Sequence, residues 1–186
     1  ARVHLIDSAR RTIDLQTFHF EPDDAGRLVL DALMDAARRG VKVRLLMDQL
    51  SGLDEARIWS HLAGFHRNFE LRMYNPLFRK AQFGPFEFAA AVMFQFGSLN
   101  RRMHNKAMVV DGLLSIVGSA NFDNRSLELH DELNVAVFDR ALAARLLQDF
   151  ERDLTRSKKL DLESWRHRSP LERGRDWLWS YFGEVF

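Results

Sequence analysis

Between Arg101 and Asn121 the chain reads RRMHNKAMVVDGLLSIVGSAN, which sets His104 two residues before Lys106, then Asp111, Gly118, Ser119 and Asn121. At ordinary residue frequencies six identities at fixed spacing would arise by chance in a chain of this size on the order of a few times in a million. On a strand, residues two apart share a face, so His104 and Lys106 are expected to project together. If the following hairpin pairs, Ser119 and Asn121 join them, and an imidazole, an ammonium, a hydroxyl and an amide converge on one small volume. That inventory combines a nucleophile or proton-transfer group with donors for anionic oxygens. Gly118 is expected to let backbone N–H groups approach the anion closely.

A phosphodiester suits this set. The lysine charge and the amide donors can neutralise the equatorial oxygens of a five-coordinate phosphorus, while an imidazole attacks it or protonates the leaving oxygen. One histidine is too few for zinc, and the segment has no carboxylate cluster to hold magnesium, so the set requires no metal and no cofactor. Blander roles stand beside the chemical ones. Asp111 in Asp111-Gly112 serves turn geometry equally well, and Arg101 and Arg102 are either phosphate contacts or a solvated face. His4, His61, His66 and His167 have no partners at informative spacing, while His19 lies near the end of the first expected strand. Downstream, Glu132 is the carboxylate chosen to hold the far nitrogen of a catalytic histidine and fix its tautomer. Spacing does not separate it from Asp131.

The elements that must position these groups follow an α/β order. Val3, Ile6 and Ala9 mark a short first helix, leading to a strand over Thr12 to Phe20. Asp23 and Asp24 offer N-caps to a helix carrying Leu30, Leu33, Met34 and Ala37, which Gly40 stops. Val41 to Met47 is a nearly continuous apolar strand, as expected under helices on both faces. A helix over Asp54 to about His66 and a strand over Phe69 to Tyr74 complete a β-α-β-α-β order with crossovers expected to be right-handed. The expected class is a mixed, mostly parallel sheet flanked by helices.

Asn75-Pro76 breaks the pattern, and a Phe-rich insertion over residues 77–99 is divided between substrate contact and packing. Strands over Asn105 to Val110 and Leu113 to Val117 are joined by Asp111-Gly112, a strong two-residue hairpin signal. A strand over Leu133 to Phe138 follows. Asp139 then caps a long helix with Leu142, Leu146, Phe150 and Leu154 as its apolar stripe. Residues 1–160 are expected to form one lobe, and 161–186 an amphipathic tail with Trp165, Trp177, Trp179 and Tyr181 among Arg166, Arg168, Arg173 and Arg175. Such a tail either lies at a lipid interface or docks, on the domain or on a missing partner lobe. Docking is the reading we favour.

The 186 residues allow one domain with a proper core. The formal net charge of +1 counts against an overall electrostatic grip on nucleic acid, so anion binding must come from local clustering. With no cysteine, thiol catalysis, disulfides and cysteine-zinc sites are excluded. The most apolar stretch, Phe83 to Phe96, is interrupted by Gly84, Pro85, Glu87 and Gln95 and is too short to span a bilayer. The chain opens on Ala1, which reads as a processed or excised fragment of a longer protein.

The spacing His104-x-Lys106-x4-Asp111-x6-Gly118-Ser119-x-Asn121 resembles the HKD signature of the phospholipase D superfamily. Ser8 to Gln16, Ala36 to Leu46, Asn75-Pro-Leu77 and Ser119 to Leu129 resemble bacterial cardiolipin synthases, so the resemblance covers most of residues 1 to 160. It implies a two-step, metal-independent transfer of a phosphatidyl group through a phosphohistidine, with phosphatidylglycerol as substrate at a bacterial membrane surface. Carried over, His104 is nucleophile or acid, Lys106, Ser119 and Asn121 stabilise the phosphoryl oxygens, and Asp111 supports them. Glu132 orients a histidine in the same or the opposite lobe, and Arg101, Arg102, Gly118 and Arg125 bind substrate. The family carries two such motifs in two lobes and this sequence carries one. Its Asn75-Pro76 and Leu99 to Lys106 resemble the first lobe, and Gly118 to Asn121 the second. Activity then needs a homodimer or a second HKD lobe. A homodimeric phosphodiesterase or nuclease, and an inactive isolated lobe, are the alternatives.

Overall fold

The computed structural model describes residues 2–18, 20, 21, 23–48, 59, 62, 64–74, 105–122 and 132–160. The insertion over 77–99, the tail over 161–186, His19, Arg101, Arg102, His104 and Arg125 lie outside the described residues.

The chain begins with α1 (Arg2–Ser8), β1 (Thr12–Thr17), α2 (Asp24–Arg38), β2 (Lys42–Asp48) and β3 (Phe69–Tyr74). Local signals account for α2. The Asp23 carboxylate accepts the Gly26 N–H at 2.8 Å, and Gly40 at φ 99° ends the run. Gly26 is also sterically required: a Cβ there would lie 1.7 Å from the Glu21 carbonyl oxygen. β1 stops at Thr17, short of the expected Phe20, because its last ladder partners are Met47 on one side and Ala107 opposite Gln16 on the other. Of the helix expected over Asp54 to about His66, Trp59 and Leu62 are helical among the described residues, whereas Gly64 to His66 are not.

The second half comprises β4 (Ala107–Val110), β5 (Leu114–Gly118), β6 (Asn134–Phe138), α3 (Arg140–Leu154) and β7 (Ser157–Lys159). Asp139 caps α3 by accepting the Leu142 N–H at 2.7 Å, as expected. The Asp111-Gly112 turn has both central residues at positive φ, 53° and 64°, with the Leu113 N–H on the Val110 carbonyl at 3.0 Å, but the ladder pairs Val110 with Leu114, so the connection holds three residues, Asp111 to Leu113, and not the two expected.

The strands form one sheet in the order β6-β5-β4-β1-β2-β3-β7. The class is α/β with a mixed sheet, as expected, but its balance differs. Only β1-β2 and β2-β3 run parallel, and the other four described pairings are antiparallel. The sequence shows β-α-β units clearly because a parallel crossover leaves a helix between strands. A strand arriving from far along the chain leaves no such mark: β4 pairs antiparallel to β1, and the three-residue β7 to β3.

Alternation along the strands assigns the two faces. Ile13, Leu15, Val43, Leu45, Leu71, Met108 and Ile116 join α1 and α2 in the main core. The intervening residues face α3, where Leu46 and Tyr74 meet Phe150 and Leu154. This second face is partly polar. Arg44 bridges Asp14 and Glu151, at 2.5 Å in each case, and lies over the Phe150 ring at 5.0 Å. Gln16 donates to Asp153 at 2.6 Å. Burial pushes the Asp14 carboxyl above its ordinary range, with Arg44 pulling against it. Burial likewise opposes the charge of Arg44, but its hydrogen bonds to Asp14 and Glu151 outweigh that and leave it raised.

Candidate active site

Lys106 immediately precedes β4, and Gly118 ends β5. The ladder pairs Ala107 with Val117, and the Gly118 N–H donates to the Lys106 carbonyl at 3.2 Å. The hairpin therefore brings Lys106 and the Gly118-Ser119-x-Asn121 turn to the same end of the sheet, although twelve residues separate them in sequence. Lys106 is half-buried, with its ammonium 5.9 Å from the centre of the Phe18 ring.

The glycine and serine of the motif have jobs that the sequence did not show. A Cβ on Gly118 would lie 2.3 Å from both the Leu133 carbonyl oxygen and the Asn134 Oδ1, so glycine is needed for the close passage of β6. Its N–H is taken by Lys106, and the Ser119 N–H donates to the Leu133 carbonyl at 3.0 Å. These two amides do not form the anion cradle expected of them. The Ser119 hydroxyl oxygen accepts the Leu133 N–H at 3.1 Å, which fixes this exposed side chain against the entry to β6. Glu132, half-buried, directly precedes that contact.

The residue after Asn121 belongs to an aromatic stack. Phe122 stacks on Phe20 with centroids 5.2 Å apart, and Phe20 meets the fully buried Trp59 edge-on at 5.2 Å. A parallel bridge between Phe20 and Phe122, with the Glu21 N–H donating to the Phe122 carbonyl at 3.1 Å, locks the exit of β1 to the turn after β5. On the other side Arg2 lies over the Phe122 ring at 4.5 Å and donates to the Ala120 and Asn121 carbonyls at 2.9 and 3.1 Å. Burial pulls the Arg2 guanidinium below its ordinary value, and the charge of Glu132 pulls the other way.

Asp111 stands apart from this cluster. It lies past the far end of β4, about 15 Å from Lys106 at the rise of a strand. Its carboxylate accepts the N–H groups of Arg10 at 2.9 Å, Arg11 at 2.7 Å and Thr12 at 2.9 Å. Burial opposes its charge, but the bonds from Thr12, Arg10 and Arg11 and the charge of Arg11 hold it below its ordinary value. It clasps the start of β1 to the hairpin turn and does not reach the Lys106 end.

Between α3 and the sheet lies a cavity of about 150 Å³ that includes Lys106 and Asn105 in its lining, together with Gln16, Asp14 and Asp149, closed by Leu146 and Phe150. Polar groups on a partly apolar floor suit a small polar ligand group. Among the described residues no cluster of histidine and carboxylate side chains could hold a metal ion, and no described helix is long and apolar enough to cross a membrane.

A family described as cardiolipin synthase, PLD-like domain matches residues 3–154. The chain belongs to this family. It is 34% identical over 159 residues to cardiolipin synthase C of Escherichia coli K12, covering 84% of this chain and 32% of that protein. To minor cardiolipin synthase ClsB of Bacillus subtilis it is 31% identical over 149 residues, covering 80% of this chain and 32% of the relative. The chain thus spans about a third of the length of the curated relatives it matches. Among solved structures, Nuc from Salmonella typhimurium, a phospholipase D family member, matches with a TM-score of 0.62 at 20% identity, covering 86% of this chain and 88% of that one. Phosphatidylserine synthase of Haemophilus influenzae matches with a TM-score of 0.63 at 10% identity, covering 98% and 41%. At these identities the structural matches establish a shared fold.

Within this PLD-like lobe, local spacing marked neither Arg2 nor the aromatic stack that includes Phe122. Arg2 lies 118 residues from Ala120, and nothing in its local spacing marks it. Phe20 and Phe122 belonged to segments already singled out, but only the bridge between them reveals their shared role.

Proposed function

We propose that this chain is one catalytic lobe of a cardiolipin synthase-type phosphatidyltransferase working at a bacterial membrane surface. The observation that carries the reading is the Gly118 N–H to Lys106 carbonyl hydrogen bond, which holds Lys106 beside the Gly118-Ser119-x-Asn121 turn. In the first step a His104 nitrogen attacks the phosphorus of phosphatidylglycerol. The bond from phosphorus to the glycerol oxygen breaks, a phosphohistidine forms, and a histidine from a second motif gives the departing glycerol its proton. In the second step a hydroxyl of another phosphatidylglycerol attacks the phosphorus, losing its proton to the second histidine, and the phosphorus–nitrogen bond breaks. Two phosphatidylglycerols give one cardiolipin and one glycerol, and no metal takes part.

Lys106, Ser119 and Asn121 stabilise the charge on the phosphoryl oxygens, and Glu132 fixes the tautomer of a histidine in this lobe or the facing one. Arg101, Arg102 and Arg125 hold substrate phosphate, with Gly118 allowing the turn its close packing. Asp111 supports the lobe through its clasp on β1. The second motif comes from another copy of the chain or from further polypeptide, consistent with a span of about a third of the relatives' length. The test is turnover of phosphatidylglycerol vesicles by the assembled protein, with and without His104→Ala. Cardiolipin and glycerol in equal amounts, trapped phosphohistidine, and loss of both in the variant are expected. Cleavage of nucleic acid with no lipid transfer would replace this reading by a phosphodiesterase of the same superfamily.

A further inference from the structure

Arg2 is in the first turn of α1, where the partial positive charge of the helix end opposes a cation. Helix stability therefore does not explain an arginine there, and neither does solvation, since the residue is half-buried. Among the described residues, the hydrogen-bond acceptors of its side chain belong to the two segments that carry Asn121 and Glu132. One terminal nitrogen donates to the Asn121 carbonyl at 3.1 Å. The other donates to the Ala120 carbonyl at 2.9 Å and to the Asn134 Oδ1 at 2.5 Å. The guanidinium plane is backed by Phe122 at 4.5 Å.

We propose that Arg2 is a positioning residue for the phosphoryl site: its planar fork braces the Ala120-Asn121 carbonyls against Asn134 and so fixes Asn121 relative to Glu132. The inference rests on the roles given above to Asn121 and Glu132. After Gly118 the chain leaves the β5 ladder, so the carbonyls of Ala120 and Asn121 need donors from elsewhere. A guanidinium can serve two successive carbonyls and a third acceptor while stacked on a ring. An ammonium, a compact charge with no plane, cannot reproduce that geometry. Arg2 acts through Asn121 and does not touch the substrate.

The experiment uses the full-length protein, assayed on phosphatidylglycerol vesicles and on bis(p-nitrophenyl) phosphate as a minimal diester. Arg2→Ala is expected to lower kcat per folded molecule by about 10²-fold, the scale of a 1 Å misplacement. KM should stay within about twofold, because the substrate's own contacts remain. Methylguanidinium in solution should restore part of the rate to Arg2→Ala, and Arg2→Lys should remain impaired. Asn134→Ala, which removes one acceptor and leaves α1 intact, should lower kcat several-fold and carries the test if Arg2→Ala fails to fold. A kcat per folded molecule unchanged in both Asn134→Ala and Arg2→Lys would overturn the proposal. Wild-type turnover of the diester without phosphatidylglycerol would overturn the lipid reading alone, with Arg2 then judged on the diester. Turnover of neither would overturn both.

Discussion

Replacing Asp111 separates a structural carboxylate from a catalytic one. Its oxygens serve three backbone donors: Arg10, Arg11 and Thr12. A hydrogen bond to a charged acceptor contributes about 1.5–3 kcal/mol when no solvent can replace it. The bonds from Arg10 and Arg11 are exposed, so water can replace much of their contribution, whereas the Thr12 bond is half-buried. For Asp111→Ala the loss then comes to about 3 kcal/mol, including roughly 1 kcal/mol for alanine at a φ that aspartate tolerates better. At this chain length that lowers Tm by about 6–12 °C. Asp111→Asn tolerates the positive φ and keeps one good acceptor, so its expected cost is about 1 kcal/mol, or 2–4 °C.

The carboxyl is held below its ordinary value, so its contribution is fully present above the unfolded pKa of about 3.9 and is lost as pH falls through the lower folded value. The difference in Tm between wild type and Asp111→Asn, measured by thermal melting, should therefore be full at pH 7 and shrink as the pH falls below about 3.9. Turnover per folded molecule should match wild type. A fall of about 10²-fold in turnover by Asp111→Asn, with Tm unchanged, would refute the structural assignment and give the carboxylate a part in the chemistry.

Three further outcomes follow from the same geometry. Gly118→Ala should cost about 1–3 kcal/mol in urea unfolding, since its Cβ meets the backbone of Leu133 and Asn134 and β6 must shift. Arg44→Ala should destabilise by about 3–5 kcal/mol by leaving Asp14, 4% exposed, unpaired beneath α3. Adding Asp14→Leu should recover much of that loss, and a double variant as unstable as the single one would refute the pairing argument. Lys106→Ala should reduce phosphatidylglycerol turnover by about 10²–10³-fold, the scale for removing one oxyanion donor, with Tm within a few degrees of wild type.

Both helix caps and the hairpin turn were legible because each depends on residues a few positions apart. Asp23 and Asp139 cap the helices that follow them, and Asp111-Gly112 makes a turn whose backbone angles those residues favour. The β-α-β units were equally plain, since periodicity is a local property. Tertiary structure decided what depends on register between distant segments. It set β4 antiparallel against β1, added β7 beside β3, and moved the balance of the sheet away from parallel. It also assigned residues their work within the motif. Asp111 became a clasp on β1 because three amides approach it from a hundred residues away, and Gly118 became a spacer for β6. Arg2, with no local signal, became the brace of the Asn121 turn. A side chain's type fixes what bonds it can make, but which partners arrive within about 3 Å is set only when the whole chain has folded.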